Sequence, residues 1–351
     1  MYAALDFALS SPNDNLTVNF YGGEPLLEYK MIKEAVDYCS YESDYVKNVQ
    51  YVIGTNGILL TDLVLDFLIA HNFQLTISFD GIPEAQSFRS PDTFSFLNRL
   101  LDRLRIQHRD YFYRKVQIAI TLIPETIVYL ADSIEYFMQK SVRSISIMPV
   151  ITHCHNWSND YYSMLDTQLG RVAATSLTHY SQTGTIPVNI FRQNPPQTIL
   201  ESENLAMCGI MRAQGCAVDI DGTFYACSHA LTAPKNCSSK LLHDCIDAMR
   251  IGVIGEPAFF TRFRSLGERL EKMGIFSRKE RKSSSYGRCD ECEYLHSCFI
   301  CPLTIAHNRI DHNPNIIPDF PCAFNRLALK YRELFPDRPN IFDALRAVSY
   351  R

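Results

Sequence analysis

The sequence predicts an α/β protein in which a parallel β-sheet is followed by a cysteine-rich, metal-binding part. Two observations lead to this prediction. Between residues 16 and 149, short β-rich runs alternate with amphipathic helical stretches. This alternation is typical of a parallel sheet that is either doubly wound or curved into a barrel. Beyond residue 205, eight cysteines stand at spacings that a metal site would impose.

The predicted strands are short and rich in apolar or β-branched residues, as strands buried on both faces tend to be. They span residues 16–21, 49–55, 73–79, 116–122 and 144–148. Each is separated from the next by a stretch with helical periodicity. The sequence therefore predicts five strand–helix units in succession.

The predicted helices carry apolar residues on one face at helical spacing. Three such faces comprise Leu27, Met31, Ile32, Ala35, Val36 and Cys39; Leu97, Leu100, Leu101 and Leu104; and Ile127, Leu130, Ile134, Phe137 and Met138. Thr61-Asp62 and Pro124-Glu125 are typical helix starts. Residues 159–183 are predicted to form a further helix, and residues 1–9 the tail of one.

Proline and glycine residues mark the boundary between the two parts. Residues 181–196 include Gly184, Pro187, Pro195 and Pro196 and are predicted to be a linker. We expect a first domain at residues 1–185, a linker at 186–204, a cysteine-rich domain at 205–330 and a C-terminal extension at 331–351. The basic stretch at 262–288 is interpreted as a solvated loop between the two sets of cysteines.

The composition is that of an ordinary globular protein, with 46% hydrophobic and 21% charged residues. The net charge of −4 gives no reason to expect nucleic acid or an anionic membrane as a partner. We expect no membrane-spanning helix, because no run approaches the roughly 18 apolar residues that one needs. We expect no secretory leader either. Twelve cysteines grouped by ligand spacing fit a reducing, cytoplasmic setting better than a disulfide framework.

The cysteines are arranged as two sets of metal ligands. The tighter set has the spacing Cys289-x2-Cys292-x5-Cys298-x2-Cys301, followed by Cys322, and the earlier set is Cys208, Cys216 and Cys227. Short Cys-x2-Cys loops let two thiolates reach one metal or one cluster edge. Four ligands fill either one zinc site or one [4Fe–4S] cube, so eight cysteines predict two sites. The spacing alone leaves structural zinc open as the alternative.

Glycine and polar residues follow three successive predicted strands. Gly22-Gly23-Glu24 follows the first strand, Gly54-Thr55-Asn56-Gly57 closes the second, and Ser78-Phe79-Asp80-Gly81 closes the third. Parallel α/β folds bind their ligands at the carboxyl ends of the strands. Two glycines allow the backbone to approach a small molecule, and Glu24 can accept hydrogen bonds from an ammonium group.

The stretches FYGGEPLL, TNG and SFDG, followed by the cysteine sets, resemble radical S-adenosyl-L-methionine (SAM) enzymes with a SPASM-type C-terminal domain. The resemblance covers essentially the whole chain. Within this family, the chain is similar to anaerobic sulfatase-maturing enzymes and thioether-forming peptide maturases. It implies a partial (β/α)6 barrel with an iron–sulfur domain after it, and SAM at the mouth of the barrel. The SAM-binding residues it implies are Gly22, Gly23, Glu24, Thr55, Asn56, Ser78, Asp80, Arg89 and Met148.

The resemblance also implies two auxiliary [4Fe–4S] clusters with interleaved ligands. One would use Cys208, Cys216, Cys227 and Cys301, and the other Cys289, Cys292, Cys298 and Cys322. The spacing Cys298-x2-Cys301 is one residue shorter than the x3 of the family pattern. Of the remaining cysteines, which are Cys39, Cys154, Cys237 and Cys245, Cys39 is predicted to be a core thiol.

The Cys-x3-Cys-x2-Cys loop that ligates the SAM-cleaving cluster in this family lies upstream of Gly22-Gly23-Glu24, whereas the first cysteine of this sequence is Cys39. The sequence opens in the middle of a crossover. We therefore expect that the first barrel strand and this loop are missing, and that the chain is truncated and inactive as given. A natural loss of the radical chemistry and completion by another chain are the alternatives.

The resemblance implies an oxidoreductase that modifies a peptide or protein side chain by 5′-deoxyadenosyl radical chemistry, with a flavodoxin or ferredoxin as electron donor. Sulfatase-maturing relatives carry an Asp after the cysteine that corresponds to Cys227. Ser228 and His229 stand there, which favours a peptide maturase, including one for Cys-containing peptides. His229 is a weak candidate for proton transfer, and His153-Cys154-His155 has too few ligands for a zinc site. The alternative function is a non-catalytic iron–sulfur or zinc protein for electron transfer or peptide binding.

Overall fold

A computed structural model describes residues 1–42, 48–151, 157–192, 210, 215–231, 239–274, 282–298, 300–308 and 312–336. The predicted ligand Cys208, the thiols Cys154 and Cys237, and the pair His153 and His155 lie outside these residues. Most of the predicted C-terminal extension, from residue 337 onward, lies outside them as well.

All five predicted strands are present and form one parallel sheet, which confirms the α/β fold class. They are β1 (Asn15–Phe20), β2 (Asn48–Thr55), β3 (Gln74–Ser78), β4 (Val116–Leu122) and β5 (Ile145–Pro149). Each strand pairs with the next one along the chain, in the order β1-β2-β3-β4-β5. A doubly wound sheet would reverse its strand order at a switch point, so the continuous order favours the barrel over the doubly wound alternative.

The sheet is extended beyond β5 by residues of the predicted linker. Val188 bridges to Ile145 in parallel orientation, and the Ile145 amide donates to the Pro187 carbonyl at 2.9 Å. Ile186, Val188 and Phe191 are buried in the same core as the strands. Residues 186–192 therefore belong structurally with the first half of the chain, while the domain boundaries around them stay a prediction.

Helices follow the strands as predicted. They are α1 (Tyr2–Leu9), α2 (Tyr29–Glu42), α3 (Asp62–Ala70), α4 (Pro83–Arg89), α5 (Phe94–Gln107), α6 (Arg109–Lys115), α7 (Leu130–Gln139) and α8 (Asn159–Thr183). Thr61 caps α3 by accepting a hydrogen bond from the Val64 amide, as its position suggested. Pro124 begins a 3₁₀ turn, Pro124–Tyr129, that leads into α7.

The predicted core faces are largely correct. Leu97, Leu100, Leu101 and Leu104 of α5 are all buried, as are Ile32, Ala35, Val36 and Cys39 of α2. Two members of the α2 face are wrong, because Leu27 is 73% and Met31 45% exposed. Leu27 lies in a 3₁₀ turn, Pro25–Glu28, that precedes α2. The helical period therefore does not extend back to Leu27.

The C-terminal half contains a small antiparallel sheet and further short helices. The sheet is formed by β6 (Ala217–Val218), β7 (Phe224–Tyr225) and β8 (Arg250–Gly252), and α9 (Lys240–Met249), α10 (Phe259–Arg264) and α11 (Leu266–Met273) pack beside it. The predicted solvated loop at 262–288 is wrong over α10 and α11. Leu266 and Leu270, one helical turn apart, are fully buried there and hold α11 on the core.

The remaining elements are β9 (Ser283–Ser284), β10 (Gly287–Arg288), α12 (Pro302–Asn308) and α13 (Asp319–Arg332). Two helices join the halves of the molecule. Leu5 of α1 is buried in the barrel core, while Phe7 of α1 makes edge-to-face contacts with Phe224, Phe259 and Phe263 of the C-terminal core. Helix α13 packs on α8 and buries Phe320, Ala323, Phe324, Leu327 and Ala328 in the barrel core.

Within the part of the chain that the structure describes, no helix is both long enough and apolar enough to cross a membrane.

Candidate cofactor site and cysteine sites

The carboxyl ends of β1 to β4 place most of the predicted SAM-binding residues at one edge of the sheet. The strand register aligns Phe20 with Ile53, Thr55 with Ile77, and Ser78 with Ala119. The residues that follow these positions therefore emerge side by side. Hydrogen bonds sort them into two groups, one centred on Glu24 and one on Asp80.

Glu24 ties the end of β1 to the end of β2. Its Oε1 accepts hydrogen bonds from Thr55 Oγ1 at 2.8 Å and from the Leu26 amide at 3.2 Å, and its Oε2 accepts from the Asn56 amide at 2.8 Å. A carboxylate has about four lone-pair positions. Three are used here, so Glu24 keeps one acceptor position, on Oε2, for a ligand.

Asp80, Arg89 and Thr121 form the second group, and they come from three different elements. The Asp80 carboxylate accepts from Arg89 Nε at 2.7 Å, from Arg89 Nη2 at 2.8 Å and from the Thr121 amide at 2.9 Å. Arg89 Nη2 also donates to Thr121 Oγ1 at 2.9 Å. Asp80 is 7% exposed and the Arg89 side chain 28%, so the ion pair orients Arg89 at the edge of a buried carboxylate.

The backbone around Asp80 is held by two further contacts. The Asp80 amide donates to Gln86 Oε1 of α4 at 2.9 Å. Gly81 has a φ of +124°, and a Cβ at this position would lie 2.0 Å from Ser133 Oγ of α7. Glycine is therefore required here, both by the backbone conformation and by the close approach of α7.

The other predicted SAM-binding residues lie at the same edge but outside these two groups. Ser78 ends β3 and is half-buried, and Met148 on β5 is 60% exposed and pairs in register with Thr121. A Cβ added to Gly22 or Gly23 would meet no atom within 4 Å among the described residues. The edge therefore presents backbone at Gly22 and Gly23, acceptors at Glu24 and a guanidinium at Arg89.

Thr121 was not among the residues predicted from the sequence. It is a polar residue near the end of β4, a strand of alternating burial in which Gln117, Ala119 and Thr121 share the less buried face. A threonine at the carboxyl end of a strand next to the SFDG strand was the available signal. Its bond to Asp80 joins residues 41 positions apart, and the sequence gives no measure of that proximity.

We call Cys289, Cys292, Cys298 and Cys322 cysteine group A. Cys289, Cys298 and Cys322 pack against one small core of Ile300, Ile305 and Ile317. Burial raises the pKa of Cys289 to about 12, and the negative charges of the Cys322, Cys298 and Cys292 thiolates add to this rise. The other three thiols therefore oppose the ionisation of Cys289.

Cys216, Cys227 and Cys301 are the described members of the second set, which we call cysteine group B. Cys227 and Cys301 pack against a different core, which includes Ile210, Phe224 and Leu303. The pairing of Ala217 with Tyr225 brings Cys216 and Cys227 to the same end of the β6–β7 ladder. Cys298 and Cys301 are three positions apart, yet they face different cores.

Two of the remaining cysteines are core thiols. Cys39 is fully buried beside Tyr51, as predicted, and burial raises the pKa of Cys39. Cys245 on α9 is 1% exposed, and burial together with the charge of Asp244 raises its pKa to about 12. Neither thiol faces cysteine group A, since both pack inside other cores.

His229 lies in a 3₁₀ turn, Ser228–Ala230, directly after Cys227. Its Nε2 is 3.4 Å from Thr304 Oγ1 of α12, and burial lowers the pKa of His229, so the ring is neutral near pH 7. Its proton-transfer role stays a prediction. Among the described residues, no group of three or more His, Cys, Asp or Glu side chains is close enough to hold a single metal ion.

No family model matches the sequence. The chain is 29% identical over 151 residues to Uncharacterized protein MJ0907 of Methanocaldococcus jannaschii, a match that covers 41% of this chain and 49% of that protein. It is 27% identical over 92 residues to Radical SAM cyclopropyl synthase TigE of Paramaledivibacter caminithermalis, covering 26% of this chain and 19% of that enzyme. The match thus spans about half the length of the first relative and a fifth of the second.

Among solved structures, native anSMEcpe with bound AdoMet and Kp18Cys peptide superimposes with a TM-score of 0.65. The match covers 99% of this chain and 89% of that chain at 16% sequence identity. At this identity the likeness concerns the fold, and it confirms the predicted partial-barrel class. The two comparisons together confirm the predicted resemblance to radical SAM maturases.

Proposed function

We propose that this chain binds SAM at the carboxyl edge of its sheet and iron–sulfur clusters at cysteine groups A and B, and that it serves a radical SAM maturase acting on a peptide or protein side chain. The observation that carries this proposal is that two hydrogen-bonded groups, one centred on Glu24 and one on Asp80, lie at the same edge of the sheet. The two groups offer an anionic acceptor and a cationic donor side by side. An α-amino acid needs both.

The amino-acid end of SAM would lie between these groups. Glu24 has an acceptor position left for the ammonium group, next to the open backbone of Gly22 and Gly23. Arg89 uses Nε and Nη2 within the protein and keeps Nη1 for the carboxylate. Ser78 would meet the ribose, and Met148 would flank the adenine. In this proposal Asp80 acts by orienting Arg89, and Thr55 and Asn56 act by orienting Glu24.

We infer iron–sulfur clusters at the cysteine groups in preference to single metal ions. Zinc holds its four ligands at about 2.3 Å, which requires sulfurs within roughly 4 Å of one another. The described residues offer no such group, although the group A thiols interact electrostatically. A [4Fe–4S] cube binds each thiolate through a separate iron, so its ligands are more widely spaced.

Cysteine group A would thus hold one cluster, and group B, with Cys208, the other. When bound, an auxiliary cluster in its oxidised form would take up an electron from the substrate, or a cluster would hold the substrate. The chain's own contribution is to hold SAM in a fixed orientation and to shield the site from water. A flavodoxin or ferredoxin as electron donor is part of this proposal.

A peptide or protein is the proposed substrate. The solved structure of anSMEcpe contains a Kp18Cys peptide, and the C-terminal half of this chain matches that fold. Ser228 in place of an Asp favours a peptide maturase over a sulfatase-maturing enzyme, as argued from the sequence. His229, neutral and next to Cys227, would be placed to accept a proton.

The test is SAM binding to the reconstituted chain, measured by anaerobic equilibrium dialysis. Arg89→Lys keeps a positive charge near Asp80 but loses the planar fork that donates through Nε and Nη2 and leaves Nη1 for a ligand. We expect it to weaken SAM binding by about ten- to a hundredfold, since one charge-assisted hydrogen bond is worth about 1.5–3 kcal/mol. Thr121→Val, which leaves Arg89 less well oriented, should weaken binding to a smaller degree.

Arg171→Lys is the matched control, because Arg171 is also ion-paired, with Asp132 at 2.6 Å, but lies on the outer helix α8. It should bind SAM as the wild type does. Equal affinities for the Arg89→Lys and Arg171→Lys variants, or no saturable binding by the wild type, would overturn the proposed SAM site.

A further inference from the structure

Two hydrogen-bond donors point at the sulfurs of cysteine group A. Arg326 Nη1 of α13 lies 3.5 Å from Cys292 Sγ, and Ser284 Oγ of β9 lies 3.1 Å from Cys322 Sγ. A metal-bound cysteine is a thiolate and has no proton to donate. In the ligated state the hydroxyl of Ser284 must therefore be the donor, and the sulfur of Cys322 the acceptor.

Arg326 acts on two sulfurs of the group at once. It stands four residues after Cys322 on α13, so the two side chains lie on the same face of the helix. In addition to its contact with Cys292, its positive charge interacts with Cys322. The side chain is half-buried, and no carboxylate of the described residues forms an ion pair with it. Its charge is therefore directed at sulfur.

The helix that carries Arg326 is firmly packed. Helix α13 buries Phe324, two residues before Arg326, and Leu327, directly after it, in the barrel core. At its C-terminal end, Tyr331 Oη donates to Asp166 Oδ1 of α8 at 2.7 Å, and Lys330 Nζ lies 3.1 Å from the same oxygen. The guanidinium thus belongs to the barrel, whereas Cys289, Cys292 and Cys298 belong to the cysteine-rich segment.

We propose that Arg326 and Ser284 raise the reduction potential of the cluster held by Cys289, Cys292, Cys298 and Cys322. This inference rests on the proposed function, which places a cluster there. Adding one electron makes a cluster more negative, so a cation and a hydroxyl that donate to its sulfurs stabilise the reduced form more than the oxidised form. The protein thereby favours this cluster as an electron acceptor.

The test is a reductive titration of the reconstituted protein, with dithionite as the electron source and the spectrum of the reduced clusters as the readout. Arg326→Gln should keep its iron but lower the equilibrium constant for one-electron reduction of one cluster about tenfold, equivalent to about 59 mV. Ser284→Ala should shift the same cluster in the same direction by less. The other cluster should not move.

Lys330→Gln is the control for loss of a positive charge from α13, because Lys330 is one turn away and faces Asp166 instead of sulfur. It should leave both potentials unchanged. Arg326→Lys keeps the charge without the planar donor and should give an intermediate shift of the reduction potential. It replaces Arg326→Gln as the test variant if Arg326→Gln loses its cluster. Unchanged potentials in Ser284→Ala and in the Arg326 variants that retain iron would overturn the inference. Absence of iron from cysteine group A in the wild type would overturn the proposed function instead.

Discussion

At the carboxyl edge of the sheet, charged side chains are paired with other side chains of the protein, whereas in cysteine group A the other three thiols oppose the ionisation of Cys289. Asp80 is paired with Arg89, and Glu24 accepts three hydrogen bonds from the chain itself. In group A, burial raises the pKa of Cys289, and the charges of Cys322, Cys298 and Cys292 add to this rise. The first region is organised before any ligand arrives. The second has a donor set whose mutual repulsion a metal cluster would relieve.

The same contrast holds for packing. Asp80 and Glu24 are fixed by strands and helices that share the large barrel core. Group A rests on a core of three isoleucines, and its one ligand with strong support is Cys322 on α13. The arrangement of side chains at the sheet edge therefore follows from the fold, whereas the arrangement of the cysteine sulfurs depends on both the fold and the metal.

The largest expected effect concerns the organisation of the sheet edge. Gly81→Ala should destabilise the barrel by about 3 kcal/mol in urea unfolding, because a Cβ would combine a positive φ with an overlap against Ser133. Gly54→Ala in β2, where a Cβ meets no described atom within 4 Å, is the control and should change stability far less. Equal effects of the two substitutions would mean that the edge is not rigidly held at Asp80.

A smaller effect is expected at the partly exposed ion pair of Lys140 with Asp102, in contrast to the more buried pair of Arg89 with Asp80. Lys140 Nζ lies 2.8 Å from Asp102 Oδ2, and this hydrogen bond is the main cause that lowers the pKa of Asp102. Because both side chains are partly exposed, Lys140→Met should cost about 0.5 kcal/mol of stability at pH 7.

The pH dependence of that cost has a definite sign. A carboxyl with a lowered pKa in the folded state contributes stability above its ordinary pKa and loses this contribution as the pH falls through the folded value. The difference in unfolding free energy between wild type and Lys140→Met should therefore vanish in acid, at about pH 3 and below. A difference that is the same at pH 7 and in acid would show that Lys140 acts through packing instead of charge.

Much of the barrel could be predicted from the sequence because its signals are local. The five strands are apolar runs, and α5 and α8 have regular helical faces, so period and burial agree there. The α10–α11 region was missed because its arginines and lysines dominate the local composition. Two buried leucines, Leu266 and Leu270, decide its structure.

The sequence predicted which residues of the candidate site could contact a ligand. It did not predict which protein side chains hold those residues in place. The motifs indicated Glu24, Asp80 and Arg89, but the third partner of Asp80, the Thr121 amide, lies on a strand 41 residues away. Arg326 was likewise hidden, since its partner Cys292 lies 34 residues before it. Its position four residues after Cys322 was a usable signal only once Cys322 was known to lie at the start of a helix.

The central claim is that the cysteines form two independent cluster sites, and it is tested most directly by iron and sulfide analysis after anaerobic reconstitution. We predict about eight iron and eight sulfide per wild-type chain, and about half of each in both Cys292→Ala and Cys301→Ala, since each variant loses one site. Cys245→Ala, a core thiol, should match the wild type. About two zinc per chain without sulfide, or loss of all iron in either single variant, would contradict the account.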